Sequence, residues 1–213
     1  MSVTGFFKSF FEPKKEVRVL NHARDLQIGD ILKFRFTPQA ELSNKRFQVS
    51  QINTYDYEDR KLTEFHLEDD GDEPIFITID ETDDVPFIAI TRKIQRGVVD
   101  VLFDLEEFAN VFDDEGHTQL HRKAEPEQLS NWTAEKYTQE IYAETGYFHK
   151  GDYRNQAVPE SESEGESFEN YLLIDDTRQF VIEAEVYDGG ETEVLVSIRR
   201  PLTDIEEMWP AEA

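Results

Sequence analysis

Hydrophobic residues in this chain fall mostly at every second position, the period of a strand with one face turned inward. Ile75, Ile77 and Ile79 alternate with Phe76, Thr78 and Asp80, and Phe87, Ala89 and Thr91 keep the same period after Asp83 and Asp84. Phe180, Ile182, Ala184 and Val186 alternate with Val181, Glu183, Glu185 and Tyr187. Gly189 and Gly190 then turn the chain, and Val194, Val196 and Ile198 form the next inward face. Two alternating runs joined by paired glycines are a strong hairpin signature. Upstream, Gly29-Asp30 marks a turn before a strand over Ile31 to Phe36. Phe47, Val49 and Gln51 share a face of a second strand, a Tyr-rich segment follows at Tyr55 to Tyr57, and Leu62 to Leu67 form a third strand. The acidic stretch Glu68 to Glu73, with Gly71 inside it and Pro74 after it, reads as a hairpin turn. The pattern predicts an antiparallel meander with one buried face.

The period changes to that of a helix after Asp104, an N-cap residue with Glu107 at the capping-box spacing. Leu105, Phe108, Ala109 and Phe112 form the stripe that lays this helix on the sheet. The same device returns at Asp204, with Glu207 at the box position, Ile205, Met208 and Trp209 on the stripe, and Pro210 as the stop. Leu129 to Tyr142 predicts another helix, capped by Ser130 or Asn131; Trp132, Lys136 and Glu140 share a face there, so its burial is partial. Tyr147 to Tyr153 resumes strand character around Gly151.

These segments recur in order. FHLEDD, IFITID, FIAITRK and DLEEF between Phe65 and Phe108 match YLLIDD, FVIEAE, VLVSIRR and DIEEM between Tyr171 and Met208. An offset of roughly 100 residues is too long for a solenoid repeat and suits duplication of a small domain. The fold class expected is therefore mainly β (α+β): two pseudo-symmetric antiparallel β-meander, barrel-like halves, each followed by a short capped helix. The divisions are an N-terminal aromatic and basic segment (1–24), a first β-rich copy (25–112), a linker (113–128) and a second copy (129–213) containing a mobile acidic loop (158–167).

With hydrophobic residues at 38% and aromatics at 12%, the chain has too much apolar payload to be a disordered acidic protein. The net charge of -25, from 47 acids against 22 bases, repels phosphate backbones and excludes nucleic acid as a partner. It favours instead a protein with a basic surface. The absence of Cys removes disulfides, thiolate nucleophiles and Cys-ligated zinc, which fits the cytoplasm. The N-terminus differs: through Arg24 it holds five basic and two acidic residues, so it carries +3 and leaves -28 for the remainder. Phe6, Phe7, Phe10 and Phe11 fall on one helical arc of roughly 140 degrees, with Lys14 and Lys15 beyond Pro13. Three uses fit such a segment: packing on the protein's own core or a second subunit in a homo-oligomer, docking on a partner protein, or weak contact with a membrane surface.

Few constellations point to chemistry. His117 and His121 are spaced as zinc ligands on a helix, but Gly116 and the surrounding polarity favour a loop, and Thr118 stands where a zinc peptidase places its glutamate. The acidic clusters lack the spacing of an EF-hand loop. No phosphate-binding, dinucleotide or nucleophile-elbow motif is present, so no catalytic residue and no cofactor is assigned. Arg92-Lys93 and Arg199-Arg200 recur at matched positions of the two copies. They could hold an anionic ligand at the seam between copies, or pair with neighbouring acids and pin the halves together.

The paired YLLIDD and EAEVYDGGETEV pattern behind a Phe/Lys-rich start resembles uncharacterised acidic bacterial proteins encoded near homologues of phage-shock protein A, the membrane-stress scaffold. The resemblance implies a cytoplasmic accessory protein, peripheral to the inner membrane, and carries over no functional residues. The chain thus reads as a non-enzymatic acidic interaction protein, with an enzyme or small-ligand binder at the seam as the alternative.

Overall fold

The alternating runs become strands that pair with their sequence neighbours, and the pairing closes on itself. The computed structural model describes residues 18–71, 73–81, 85–113, 117–159 and 165–211. The N-terminal segment with Phe6, Phe7, Phe10, Phe11, Lys14 and Lys15 lies outside the described residues. In chain order the strands are β1 (Ile31–Phe34), β2 (Arg46–Tyr57), β3 (Lys61–Glu68), β4 (Ile75–Asp80), β5 (Phe87–Ile94), β6 (Gln119–His121), β7 (Lys136–His149), β8 (Glu166–Ile174), β9 (Phe180–Tyr187), β10 (Thr192–Pro201) and β11 (Ile205–Trp209). Two short helices, α1 (Arg96–Leu102) and α2 (Leu105–Ala109), follow β5.

The first half contributes β2 to β5 as one antiparallel meander, and the second half contributes β7 to β10 as another. β5 joins β10 along its length, from Ile94 opposite Val194 to Phe87 opposite Pro201. β2 joins β7 over a shorter seam, from Thr54 opposite His149 to Tyr57 opposite Gly146. The two junctions make a closed ring of eight strands, with β1 and β11 extending the sheet beyond β2 and β6 extending it beyond β7.

Both faces of this ring are covered. One face carries an apolar belt: Phe65 opposite Ile77, Ile77 opposite Ile90, Ile90 opposite Ile198, and Val196 opposite Ile182. The connecting segments pack over that belt through Leu26, Leu42, Val99, Phe103, Leu129 and Trp132, forming the main core. Each such burial contributes about 1.5–3 kcal/mol, so the outer layer holds most of the stability. The opposite face turns into the ring. One cavity there is bordered by side chains from all eight ring strands, among them Tyr55, Glu64, Thr78, Thr91, Glu183 and Ser197.

Several expectations are corrected. The strands do not bury one face and solvate the other: Val181 and Glu185, placed outside by the alternation, are buried like Ile182 and Ala184. Closure of the ring shelters the face that an open meander would leave wet. Phe47, Val49 and Gln51 do not share a face, because the register with β3 shifts between Val49 and Gln51. This bulge leaves Phe47 and Val49 in the core and turns Gln51 and Asn53 toward the lumen. The second capped helix is absent. After a short 3-10 turn at Leu202–Asp204, β11 pairs with β1, and the Asp204 carboxylate accepts from Arg200 Nε at 2.7 Å instead of capping. The helix expected over Leu129 to Tyr142 is a 3-10 turn (Glu127–Leu129) followed by β7, and Trp132 is fully buried. The expected linker contains β6, paired with β7. The expected acidic loop ends early, since β8 starts at Glu166; residues 160–164 lie outside the described residues.

The first capped helix is present in shorter form. Asp104 Oδ1 accepts from the N–H groups of Glu106 and Glu107 at 2.9 and 3.2 Å. Glu107 serves His121 instead of closing the box, accepting from its backbone N–H at 3.0 Å and meeting its Nδ1 at 2.6 Å.

Candidate functional site

Two adjoining cavities lie along the lumenal face of the ring. The inner one is the cavity touched by all eight strands, about 190 Å³. The outer one, about 650 Å³, opens where β2 begins its lumenal run and where β9 turns into β10. Tyr55, Glu64 and Leu195 border both chambers and form the neck between them.

The lumen is built from residues that strand alternation sends to a single face: Asn53 and Tyr55 from β2, Glu64 and His66 from β3, Thr91 and Lys93 from β5, Glu183 and Glu185 from β9, Leu195 and Ser197 from β10. Glu64 and Glu185 are 6% and 5% exposed, an unusual depth for carboxyl groups. Glu64 accepts from Asn53 Nδ2 at 2.9 Å, with the Tyr55 hydroxyl at 3.5 Å from its other oxygen. Glu185 accepts from the Tyr187 hydroxyl at 2.8 Å. β3 and β9 lie diametrically opposite in the ring, and the charge of Glu64 acts on Glu185 across the lumen. Burial pushes Glu64 up to about 7, against the opposing pull of Asn53 and Lys93. Burial first, then the charges of Glu183 and Glu64, push Glu185 up to about 8. Glu183 is raised by burial too, with Arg199 and Arg60 opposing. The Tyr187 hydroxyl is raised by burial and by Glu185 beside it, so it remains a proton donor.

Aromatic rings form one wall. Tyr55 lies 5.1 Å from Phe148 and 5.6 Å from Phe168, centroid to centroid, and Phe168 lies 5.6 Å from Tyr187. Leu172, Ile174 and Val181 form a separate apolar cluster. Thr91 and Ser197 close a cross-strand hydroxyl pair at 2.8 Å between the two halves. Two buried polar atoms of the lumen lack a hydrogen-bond partner: Asn170 Oδ1 in the inner chamber, from a residue 2% exposed, and His66 Nε2 in the outer one.

The basic pairs of the sequence divide between the two faces, because adjacent residues of a strand point oppositely. Lys93 lines the outer chamber and pairs with Glu193, and Arg199 lines the inner one with its guanidinium 4.7 Å from the Phe87 ring centroid. Arg92 and Arg200 face outward. Arg92 is held by Glu41 at 2.9 Å, by Glu73 and by the Gln128 carbonyl, beside the Trp132 ring; Arg200 pairs with Asp204. His117 and His121 lie on extended chain at the exposed surface, with His121 bonded to Glu107. Among the described residues no three His, Asp or Glu side chains are grouped closely enough to hold a metal ion. The buried carboxylates are instead spread around the wall.

Sequence reasoning missed Glu64, Glu183, Glu185 and Asn170. Their carboxyl and amide groups at alternate positions read as a solvated face, and the one available signal was aromatic: Tyr55, Tyr57, Phe168 and Tyr187 fall on that supposedly polar side. Among the described residues no helix is long and apolar enough to cross a membrane. The chain matches no known family, no curated protein and no solved structure.

Proposed function

We propose that this protein is a ligand-binding barrel that holds a small organic molecule in the outer chamber and neck. The observation that carries the reading is the cavity itself. Interiors pack to crystal-like density with few voids larger than a water molecule, and an eight-stranded barrel is either filled by its side chains or kept open for one small ligand. A chamber of about 650 Å³ lies within the range of small-molecule sites. Its lining combines aromatic faces with converging polar groups, and the buried carboxylates cost stability that a merely structural lumen would avoid by using apolar residues. The lining draws on both halves of the chain.

Native mass spectrometry of the full chain purified from its own cells tests this. A bound mass of a few hundred daltons is expected, consistent with that volume. Glu166→Trp, which places an indole at the rim of the outer chamber on the same face of the sheet as Phe148, should remove it while leaving the thermal transition in place. A ligand-free wild-type chain would overturn the reading.

The net charge of -25 favours a second reading, an acidic accessory protein that docks on a basic partner near membrane-stress machinery. In the same spectra it predicts a co-purifying protein that is released by salt.

A further inference from the structure

The chemistry of the lumen selects among small molecules, and this inference rests on the ligand-binding reading above. The wall has a surplus of acceptors. The cations that line it are engaged: Lys93 with Glu193, Lys150 with Glu166 at 3.2 Å, Arg60 in a two-pronged pair with Glu144 at 2.7 Å for both contacts, and Arg199 against Phe87. Glu64 and Glu185 receive only neutral donors, Asn53, Tyr55 and Tyr187, in the hydrogen bonds they make. Asn170 Oδ1, buried and lining the same inner chamber, has no donor at all. A buried acceptor without a donor is costly, and a buried carboxylate gains most from a charged N–H. The occupant must therefore bring donors and positive charge. An anion, which the basic pairs alone would suggest, would meet carboxylates on opposite walls.

Size and shape narrow the class further. The carboxylates stand on β3 and β9, opposite each other across the ring, too dispersed to close around a metal ion. Between them, Tyr55, Phe148 and Tyr187 offer aromatic faces, which attract cationic nitrogen and pack well against methylene groups. We propose that the barrel binds an organic ammonium, its charged nitrogen held between Glu64 and Glu185, its N–H groups reaching toward Asn170, and its carbon skeleton against Tyr55, Phe148 and Tyr187.

Calorimetric titration of the ligand-stripped full chain at about pH 8.5, where Glu64 and Glu185 are mostly ionised and the diamine is still cationic, with diaminobutane, against the neutral butanediol and the anionic succinate, tests the class. The diamine should bind and the other two should not. Glu64→Gln and Glu185→Gln, which keep shape but remove charge, should each weaken it roughly tenfold or more, the loss expected for one hydrogen bond to a charged group. Glu206→Gln on the outer surface should leave it unchanged, and thermal melts of each variant show that it is folded. Diamine affinity unaltered in both lumenal variants would overturn the proposal. Binding of succinate or butanediol in place of the diamine would overturn the class while leaving a ligand-binding barrel. Silence from all three probes, with no mass lost in Glu166→Trp, would remove both.

Discussion

At the scale of the residue, the two raised carboxyl groups of the lumen set a pH dependence opposite in sign to that of an ion-paired carboxylate. Glu64 faces Asn53 and Tyr55 from β2, Lys93 from β5, Glu193 from β10 and Glu185 from β9; Glu185 faces Glu183, Tyr187, Glu64 and Glu193. Both are raised, to about 7 and about 8, so the folded chain holds protons that the unfolded chain has released. Their stabilisation is present in full below the unfolded carboxylate range near 4.5 and is lost as pH rises through 7 to 8. Denaturant unfolding at about pH 5.5 and about pH 8.5 should show a fall on the order of 3 kcal/mol in the wild-type chain. The fall should largely vanish in the Glu64→Gln, Glu185→Gln double variant, which should be the more stable protein at the higher pH. An equal fall in both proteins would place the dependence elsewhere. None of this was legible in the sequence, because Glu183 and Glu185 alternate with Ile182 and Ala184 as solvated residues of an open sheet do.

At the scale of the element, the seam between β2 and β7 is the weaker of the two junctions that join the halves into a ring, with four residue pairs against eight between β5 and β10. Gly146 makes that seam possible by close approach. A Cβ there would stand 2.6 Å from the Phe168 ring and 3.0 Å from the Tyr57 ring, inside the aromatic cluster that closes the lumen. Gly146→Val should cost about 1–3 kcal/mol and reduce the near-UV aromatic circular dichroism. Gly189→Ala, with nothing within 4 Å of its added methyl, should stay within about 0.5 kcal/mol of wild type. Equal costs for the two would deny Gly146 this role. Elements whose local signal matches their burial were readable: the β9–β10 hairpin at Gly189 and Gly190, the acidic turn before Pro74, and the Asp104 cap. Elements decided by distant pairing were not. Ile205 to Trp209 has helical spacing and an Asp before it, yet it becomes β11 because the open edge of β1 supplies ladder partners that a five-residue helix could not replace. Leu129 to Tyr142 was lost in the same way, since Tyr137 and Gln139 pair with β6 and β8. Trp132, which the helical reading left half wet, is anchored instead by Glu41 and covered by Arg92.

At the scale of the molecule, the decisive fact is that neither half can complete itself. Sequence recurrence points to two units, and each half does supply a four-stranded meander in the same order. Yet the pairs that finish the sheet all run between halves: eight in β5–β10, four in β2–β7 and four in β1–β11. The lumen is shared in the same sense. Glu64 on the first half shares its charge with Glu185 and Glu193 on the second, and Thr91 bonds Ser197 across the junction. A first half alone would present the open edges of β2 and β5 and a water-filled polar groove, with its outer belt as its only core. Such edges bind other chains or leave the sheet unformed. Cutting the chain between residues 114 and 115 therefore separates two fragments that should fold only together. Each alone should lack cooperative unfolding and dispersed amide resonances. Mixing the two should restore both, with a midpoint that rises with fragment concentration, as mass action requires of a two-chain native state. A fragment that folds by itself would mean that the ring is an assembly of two finished domains, and that the lumen between them is incidental to the stability of either.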